Sequence, residues 1–115
     1  MGRKVFKESV RGRGDLAGVF EHDGETSYFY LVDFKTTKGM KIVDAIHIAT
    51  GPLPFRDAQI EIRWSTAEDR TGLFLAGTQW AVFNVVQGTK FGGGYSTERA
   101  PDIPESEQLS LGKSH

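Results

Sequence analysis

GVFEHDGETSYFYLVDF, residues 18–34, decides the fold that the sequence predicts. Asp23-Gly24 lies between two runs rich in apolar and aromatic residues, and such a dipeptide is a strong signal for a β-hairpin. Both central positions of a type I′ turn need a positive φ, which Gly and Asp tolerate better than most residues. The stretch therefore predicts antiparallel strands at residues 17–22 and 27–34, with Asp23-Gly24 as the central pair of the turn.

The rest of the chain carries further strand patterns. Residues 58–65 alternate between apolar and polar, as expected for a strand with one buried and one exposed face. Residues 27–34 are apolar on both faces, so this strand is predicted to be central. Further strands are predicted at residues 4–10, 42–49, 72–76 and 79–86, and no long segment has helical periodicity. The prediction is an all-β antiparallel meander of about six or seven strands, forming a curled sheet, small barrel or sandwich with little or no helix.

The length of 115 residues fits one domain. We assign it to residues 1–97. After Gln87 the chain becomes rich in glycine and proline. We expect at most a frayed strand there, followed by a polar, flexible tail over residues 98–115.

Composition excludes several classes of function. The chain has no cysteine, which rules out disulfides, thiolate catalysis and cysteine-ligated metals. No HxH or HxxxH spacing and no cofactor fingerprint are found, so neither a metal nor a cofactor is expected. The net charge of -1 and the lack of a long apolar run favour neither nucleic acid nor membrane as partner, and the default location is cytoplasmic.

The candidate site residues are acids, a histidine and aromatics within or beside predicted strands. Asp44 lies among isoleucines, where a carboxylate needs a partner or a raised pKa. Asp44 and His47 point to opposite faces of a regular strand, so they cannot form a direct acid–base pair unless a bulge intervenes. The alternative for Asp44 is structural, with a hydrogen bond to a backbone amide or to an arginine such as Arg63.

An aromatic cleft is a further interpretation, although these residues are more often plain core. Its members would be Trp64, Trp80, Tyr28, Tyr30 and Phe83. No catalytic residue is assigned. The candidate ligand- or partner-binding residues are Glu21, Glu25, Tyr30, Asp44, His47 and Trp64.

Short motifs within residues 18–86 resemble a small bacterial family of uncharacterised proteins, a domain of unknown function. The resemblance implies a bacterial cytoplasmic protein with one compact domain and assigns no activity. The matching residues are Phe20-Glu21, Asp23-Gly24-Glu25-Thr26, Tyr28-Phe29-Tyr30, Asp44-Ala45, Trp64-Ser65, Gly77 and Ala81-Val82-Phe83.

The leading functional hypothesis is a non-enzymatic protein-binding module, such as an immunity or accessory protein. Its partner would be another protein or a second copy, because strands that are apolar on both faces need cover on both sides. The alternative is a small enzyme or ligand-binding protein with an acidic and histidine-containing pocket inside the curled sheet. The sequence alone leaves the choice between them open.

Overall fold

The computed structural model of the protein describes residues 3–36 and 39–109. Within them the chain forms eight strands in two antiparallel sheets of four. The first sheet contains β1 (Val5–Val10), β2 (Leu16–His22), β3 (Thr26–Thr36) and β4 (Gly39–Thr50), in chain order. The second contains β5 (Ile60–Trp64), β6 (Arg70–Leu75), β7 (Thr78–Asn84) and β8 (Thr89–Gly92), also in chain order.

The all-β prediction is confirmed, and β3 is central, between β2 and β4. The number of strands is higher than predicted because β8 is a regular partner of β7, where the sequence predicted at most a frayed strand. The only helical elements in the described residues are two short 3-10 turns, Asp57–Gln59 and Glu105–Glu107. No helix in this part of the chain is long and apolar enough to cross a membrane.

The hairpin at residue 23 is confirmed, but its turn differs from the predicted one. Asp23 N donates to Thr26 O, and His22 pairs with Ser27, so the central pair is Gly24-Glu25. Of the two central residues, only Gly24 has a positive φ, of 105°, and a positive φ at the first central position alone is the pattern of a type II′ turn. Asp23 is displaced to the first turn position because its Oδ1 accepts hydrogen bonds from Glu25 N and Thr26 N.

The two sheets pack face to face around one aromatic and aliphatic core. The rings of Phe29 and Phe83 meet across it, with centroids 5.2 Å apart. Alternation along the strands sends every second side chain into this core, except at a bulge between β6 and β7, where the consecutive residues Trp80 and Ala81 both belong to the core. Its buried members include Phe20, Phe29, Leu31, Ile46, Ile48, Ile60, Leu73, Leu75, Trp80 and Phe83.

Contacts between the sheets close the sandwich at both sides. After β8, Gly93 N donates to Trp80 O of the second sheet, and Gly94 N donates to His47 O of the first. Gly93 has a φ of 91°, and a Cβ there would lie 2.6 Å from His47 O, so the crossing requires glycine. On the opposite side, Trp64 Nε1 donates to Ser9 O at 2.8 Å. Hydrogen-bonding groups on the outer strands are thereby partly paired.

The C-terminal segment covers the outer face of the second sheet. Ile103 and Glu107 are buried, and Leu109 N donates to Gln79 Oε1 at 2.7 Å. Gln79 Nε2 in turn donates to the backbone carbonyl of Glu107. Flexibility of the tail stays a prediction, and residues 110–115 lie outside the described residues. The second sheet therefore has cover on both faces.

Candidate functional site

The outer face of the first sheet carries apolar side chains that no described segment of the chain covers. Register places three rows of side chains across its four strands, and we call these rows the open face. They are Phe6–Glu21–Tyr28–His47, Glu8–Val19–Tyr30–Ala45 and Val10–Ala17–Val32–Ile42.

Exposure identifies which parts of the open face meet solvent. Phe6 is 62% exposed, Val10 46% and Ile42 56%, so no segment of the described chain covers them. The central residues Val19 and Val32 are shielded by their neighbours, with Tyr30 packed against them. An apolar patch rimmed by charged groups is typical of an interaction surface.

The first two rows of the open face share an aromatic cluster on β3 and β4. The rings of Tyr28 and Tyr30 are nearly parallel, with centroids 5.8 Å apart and an interplanar angle of 18°. His47 meets Tyr28 edge-on, with centroids 5.3 Å apart. Its Nε2 is 3.0 Å from Thr50 Oγ1. The two tyrosines therefore form an ordered, partly exposed platform on strand β3.

Glu21 places a negative charge beside this platform. It lies directly opposite Tyr28 on the neighbouring strand, and it is exposed. Burial raises the pKa of Tyr30, and the charge of Glu21 raises it further. Glu21, Tyr30 and His47, which the sequence singled out separately, thus share one face.

Glu25, the next candidate, lies in the hairpin turn and is exposed at its tip. The neighbouring His22 turns the other way, into the sandwich, where it is 1% exposed. Its Nδ1 lies 2.7 Å from Ser27 Oγ, which is hydrogen-bonding distance for a nucleophile and its base. Because Ser27 is also fully buried, no substrate reaches that hydroxyl.

Asp44 lies away from the open face, at the edge between the sheets. It pairs with Leu31 of β3, whereas His47 pairs with Tyr28, so the two residues occupy opposite faces as predicted. Asp44 Oδ1 accepts hydrogen bonds from Lys90 Nζ and from Ala45 N. The bond from Lys90 lowers the pKa of Asp44. Its cationic partner is thus Lys90 rather than Arg63, which pairs with Glu61.

Trp64 lies at the opposite side of the sandwich. Its indole N–H is occupied by Ser9 O, and the Arg11 guanidinium lies 5.8 Å from its ring centroid. Trp80 and Phe83 belong to the core. The five aromatics considered from the sequence therefore do not form one cleft, because the strand register distributes them over different faces.

A crevice between β4 and β8 resembles a ligand pocket and is lined in part by polar side chains. It has a volume of about 450 Å³ and is lined by His47, Lys90 and Asp102 among others. Lys90 Nζ is engaged by Asp44 and by the carbonyl of Ala45. In the part of the chain that the structure describes, no three metal-binding side chains come together.

Sequence patterns missed Phe6, Glu8 and Val10 as site residues. They occupy the outward positions of edge strand β1, and their weak alternation predicts only an edge strand. The signal that unites them with Tyr28 is cross-strand register, which an isolated strand pattern does not contain.

Comparisons with known proteins identify one family and no characterised relative. A family model whose description reads "Uncharacterized protein conserved in bacteria (DUF2251)" matches residues 1–114. No curated protein matches the chain. No solved structure matches it either.

Proposed function

The chain belongs to this family of uncharacterised proteins conserved in bacteria. We propose that it is a non-enzymatic module whose open face docks onto a basic protein partner. The observation that carries the proposal is the uncovered apolar face itself. The second sheet is covered by the chain's own C-terminal segment, whereas Phe6, Val10 and Ile42 of the first sheet remain in solvent.

The size of the open face supports an interface. Four strands about 4.8 Å apart, with residues about 3.3 Å apart along each strand, give the whole open face, including its charged and shielded residues, an area of about 300 to 400 Å². Patches of this extent on monomers often mark interaction sites. The face lies at the small end for protein interfaces, so we expect a transient complex.

The charge of the open face favours a basic partner. Its β1 and β2 positions carry two carboxylates, Glu8 and Glu21, and neither strand places a Lys or Arg there. These carboxylates repel nucleic-acid phosphates and anionic lipid headgroups. They also disfavour a symmetric contact with a second copy, in which the same charges would face each other.

A binding role explains the arrangement of polar groups better than catalysis does. The buried Ser27–His22 pair is inaccessible, and the carboxylate of Asp44 is occupied by Lys90. An immunity or accessory protein acts by covering another protein and needs no catalytic group. The chemistry of the open face fits that class.

The alternative function, binding of a small polar ligand, rests on the crevice lined by His47, Lys90 and Asp102. Its volume lies within the usual range of ligand sites. Lys90→Met would abolish ligand binding there and leave a protein complex at the open face unchanged.

Site-specific photo-crosslinking tests the docking proposal. A benzophenone amino acid replaces Phe6 on the open face or, as a control, Val86, an apolar residue that is 77% exposed in the turn between β7 and β8. We expect an adduct with one basic protein from cells of the source bacterium at residue 6 and none at residue 86. The purified partner should then bind Phe6→Ser at least about tenfold more weakly than wild type and Val86→Ser equally well.

Two results would contradict the proposal. Equal adducts at residues 6 and 86 would mean that the open face has no special affinity. The second result is an adduct of twice the chain's mass, together with a dimer in light scattering. If Phe6→Ser dissociates that dimer, the occupant of the open face is a second copy of the chain.

A further inference from the structure

We propose that Glu21, Tyr28 and Tyr30 form a recognition site for one arginine side chain of the partner. The inference rests on the proposed docking function and specifies its anchor. A guanidinium would stack on the tyrosine rings while its N–H groups donate to the Glu21 carboxylate.

The aromatic platform provides the stacking surface. Tyr28 and Tyr30 occupy successive outward positions of β3, and their rings are tilted by 18° to each other. A planar guanidinium stacks on such rings through cation–π attraction and dispersion. His47 packs edge-on against Tyr28 and limits rotation of that ring. The platform is thus arranged before any ligand arrives.

The carboxylate provides the charge. Glu21 is exposed and has no hydrogen-bond or ion-pair partner for its side chain in the described part of the chain. It lies opposite Tyr28 and acts electrostatically on Tyr30. Of the neighbouring acids, Asp23 is engaged by the turn amides, and Glu8 is separated from Tyr30 by Val19 of the intervening strand. Glu21 is therefore the available acceptor beside the rings.

The surroundings of the pair favour arginine over lysine. Phe6 lies opposite Glu21 on β1, so its exposed ring can cover the methylene stem of an incoming side chain. A guanidinium matches a carboxylate with two parallel hydrogen bonds, and it is less strongly hydrated than an ammonium group. Both properties suit a half-apolar site.

Nuclear magnetic resonance titration of the full chain tests the anchor. The probes are N-acetyl-arginine methylamide, its lysine counterpart and its citrulline counterpart, which has the same shape without the charge. We expect saturable shifts of the amides of residues 21, 28 and 30 with arginine, at a dissociation constant of about 10 mM or below. Lysine should bind more weakly, and citrulline at least about tenfold more weakly.

Three variants separate the site from general surface charge. Glu21→Gln should weaken arginine binding at least about tenfold, whereas Glu98→Gln, which removes an exposed carboxylate from the segment after β8, should leave it within about twofold. Tyr28→Leu should weaken it as well. Equal binding of arginine and citrulline, equal effects of the two glutamate variants, or no saturable shift would each overturn the proposal.

The natural partner distinguishes failure of the anchor from failure of the docking function. If Phe6→Ser weakens partner binding but Glu21→Gln does not, the arginine anchor is wrong and the docking surface stands. If neither substitution changes partner binding, the docking function itself is wrong. Weakening by both supports the anchor.

Discussion

Glu107 Oε1 accepts a hydrogen bond from Arg70 Nε at 2.8 Å, although the two residues are 37 positions apart in sequence. Asn84 Nδ2 donates to the same oxygen at 3.3 Å. The Glu107 side chain is only 7% exposed, while Arg70 lies at the start of β6. This contact attaches the C-terminal segment to the second sheet.

Glu107→Ala should destabilise the protein by about 2 to 4 kcal/mol, because it removes a buried charged acceptor and leaves Arg70 and Asn84 without it. Urea denaturation followed by tryptophan fluorescence measures the change. The control is Glu105→Ala, which removes an exposed carboxylate from the same turn and should cost less than about 0.5 kcal/mol. Similar losses for both variants would show that the Arg70 contact has no special weight.

Asp44→Asn should have a small effect, below about 1 kcal/mol, because its ion pair with Lys90 is open to solvent. The two side chains are 38% and 46% exposed, so water and salt screen their attraction. Thermal unfolding at low and high salt provides the measurement. A loss above about 2 kcal/mol would instead mean that this bridge holds the two sheets together.

Gly93→Ala should cost at least about 2 kcal/mol more than Gly88→Ala. Both glycines have a positive φ, of 91° and 70°, so both substitutions strain the backbone. Only at residue 93 would the new Cβ lie 2.6 Å from His47 O and from Ile46 Cγ2, whereas nothing lies within 4 Å at residue 88. Comparison of the two unfolding free energies isolates the cost of the close approach. Equal costs would contradict the tight crossing between the sheets.

The ion pair of Asp15 with Arg11 should make the free energy of unfolding depend on pH in the acidic range. Arg11 donates to both oxygens of Asp15, at 2.7 and 2.8 Å, and holds the pKa of that carboxyl well below its usual range. The unfolded chain protonates Asp15 near pH 4, while the folded protein keeps it ionised. The stabilisation is therefore complete above about pH 5. It decreases as the pH falls below the pKa of the carboxyl in the unfolded chain, towards the lowered pKa of the folded state.

Asp15→Asn removes this contribution, so its stability should fall less steeply with acid than that of wild type. Denaturation curves at a series of acidic pH values give the two slopes. Asp57→Asn, at an exposed position of the first 3-10 turn, should retain the wild-type slope. Parallel curves for wild type and Asp15→Asn would refute the linkage.

Local patterns in the sequence predicted most of the strands correctly. Ile60, Ile62 and Trp64 alternate with polar residues because one face of β5 meets the core and the other meets solvent. The hairpin at residue 23 was equally evident, but the turn type was wrong. The Asp23 side chain binds the amides that follow it, which places Gly24 rather than Asp23 at the first central position.

Long-range packing had no comparable signal. Ile103 and Glu107 lie in a polar, proline-containing segment without periodicity, yet both are buried against the second sheet. The open face is a similar case, since Phe6, Glu21, Tyr28 and His47 align only through the register of four strands. Whether these residues bind a partner stays a prediction.

The order of the strands has a practical consequence. Each sheet is built from consecutive strands, and the covalent connection between the sheets is the segment of residues 51–59. A cut near Pro52 would yield two fragments, each with one entire sheet and one exposed apolar inner face. Burial of the two inner faces, with Phe29 of one fragment against Phe83 of the other, would favour reassociation of the halves without a peptide link. The fold is thus suited to fragment complementation, in which a split reporter records the reassociation of its two sheets.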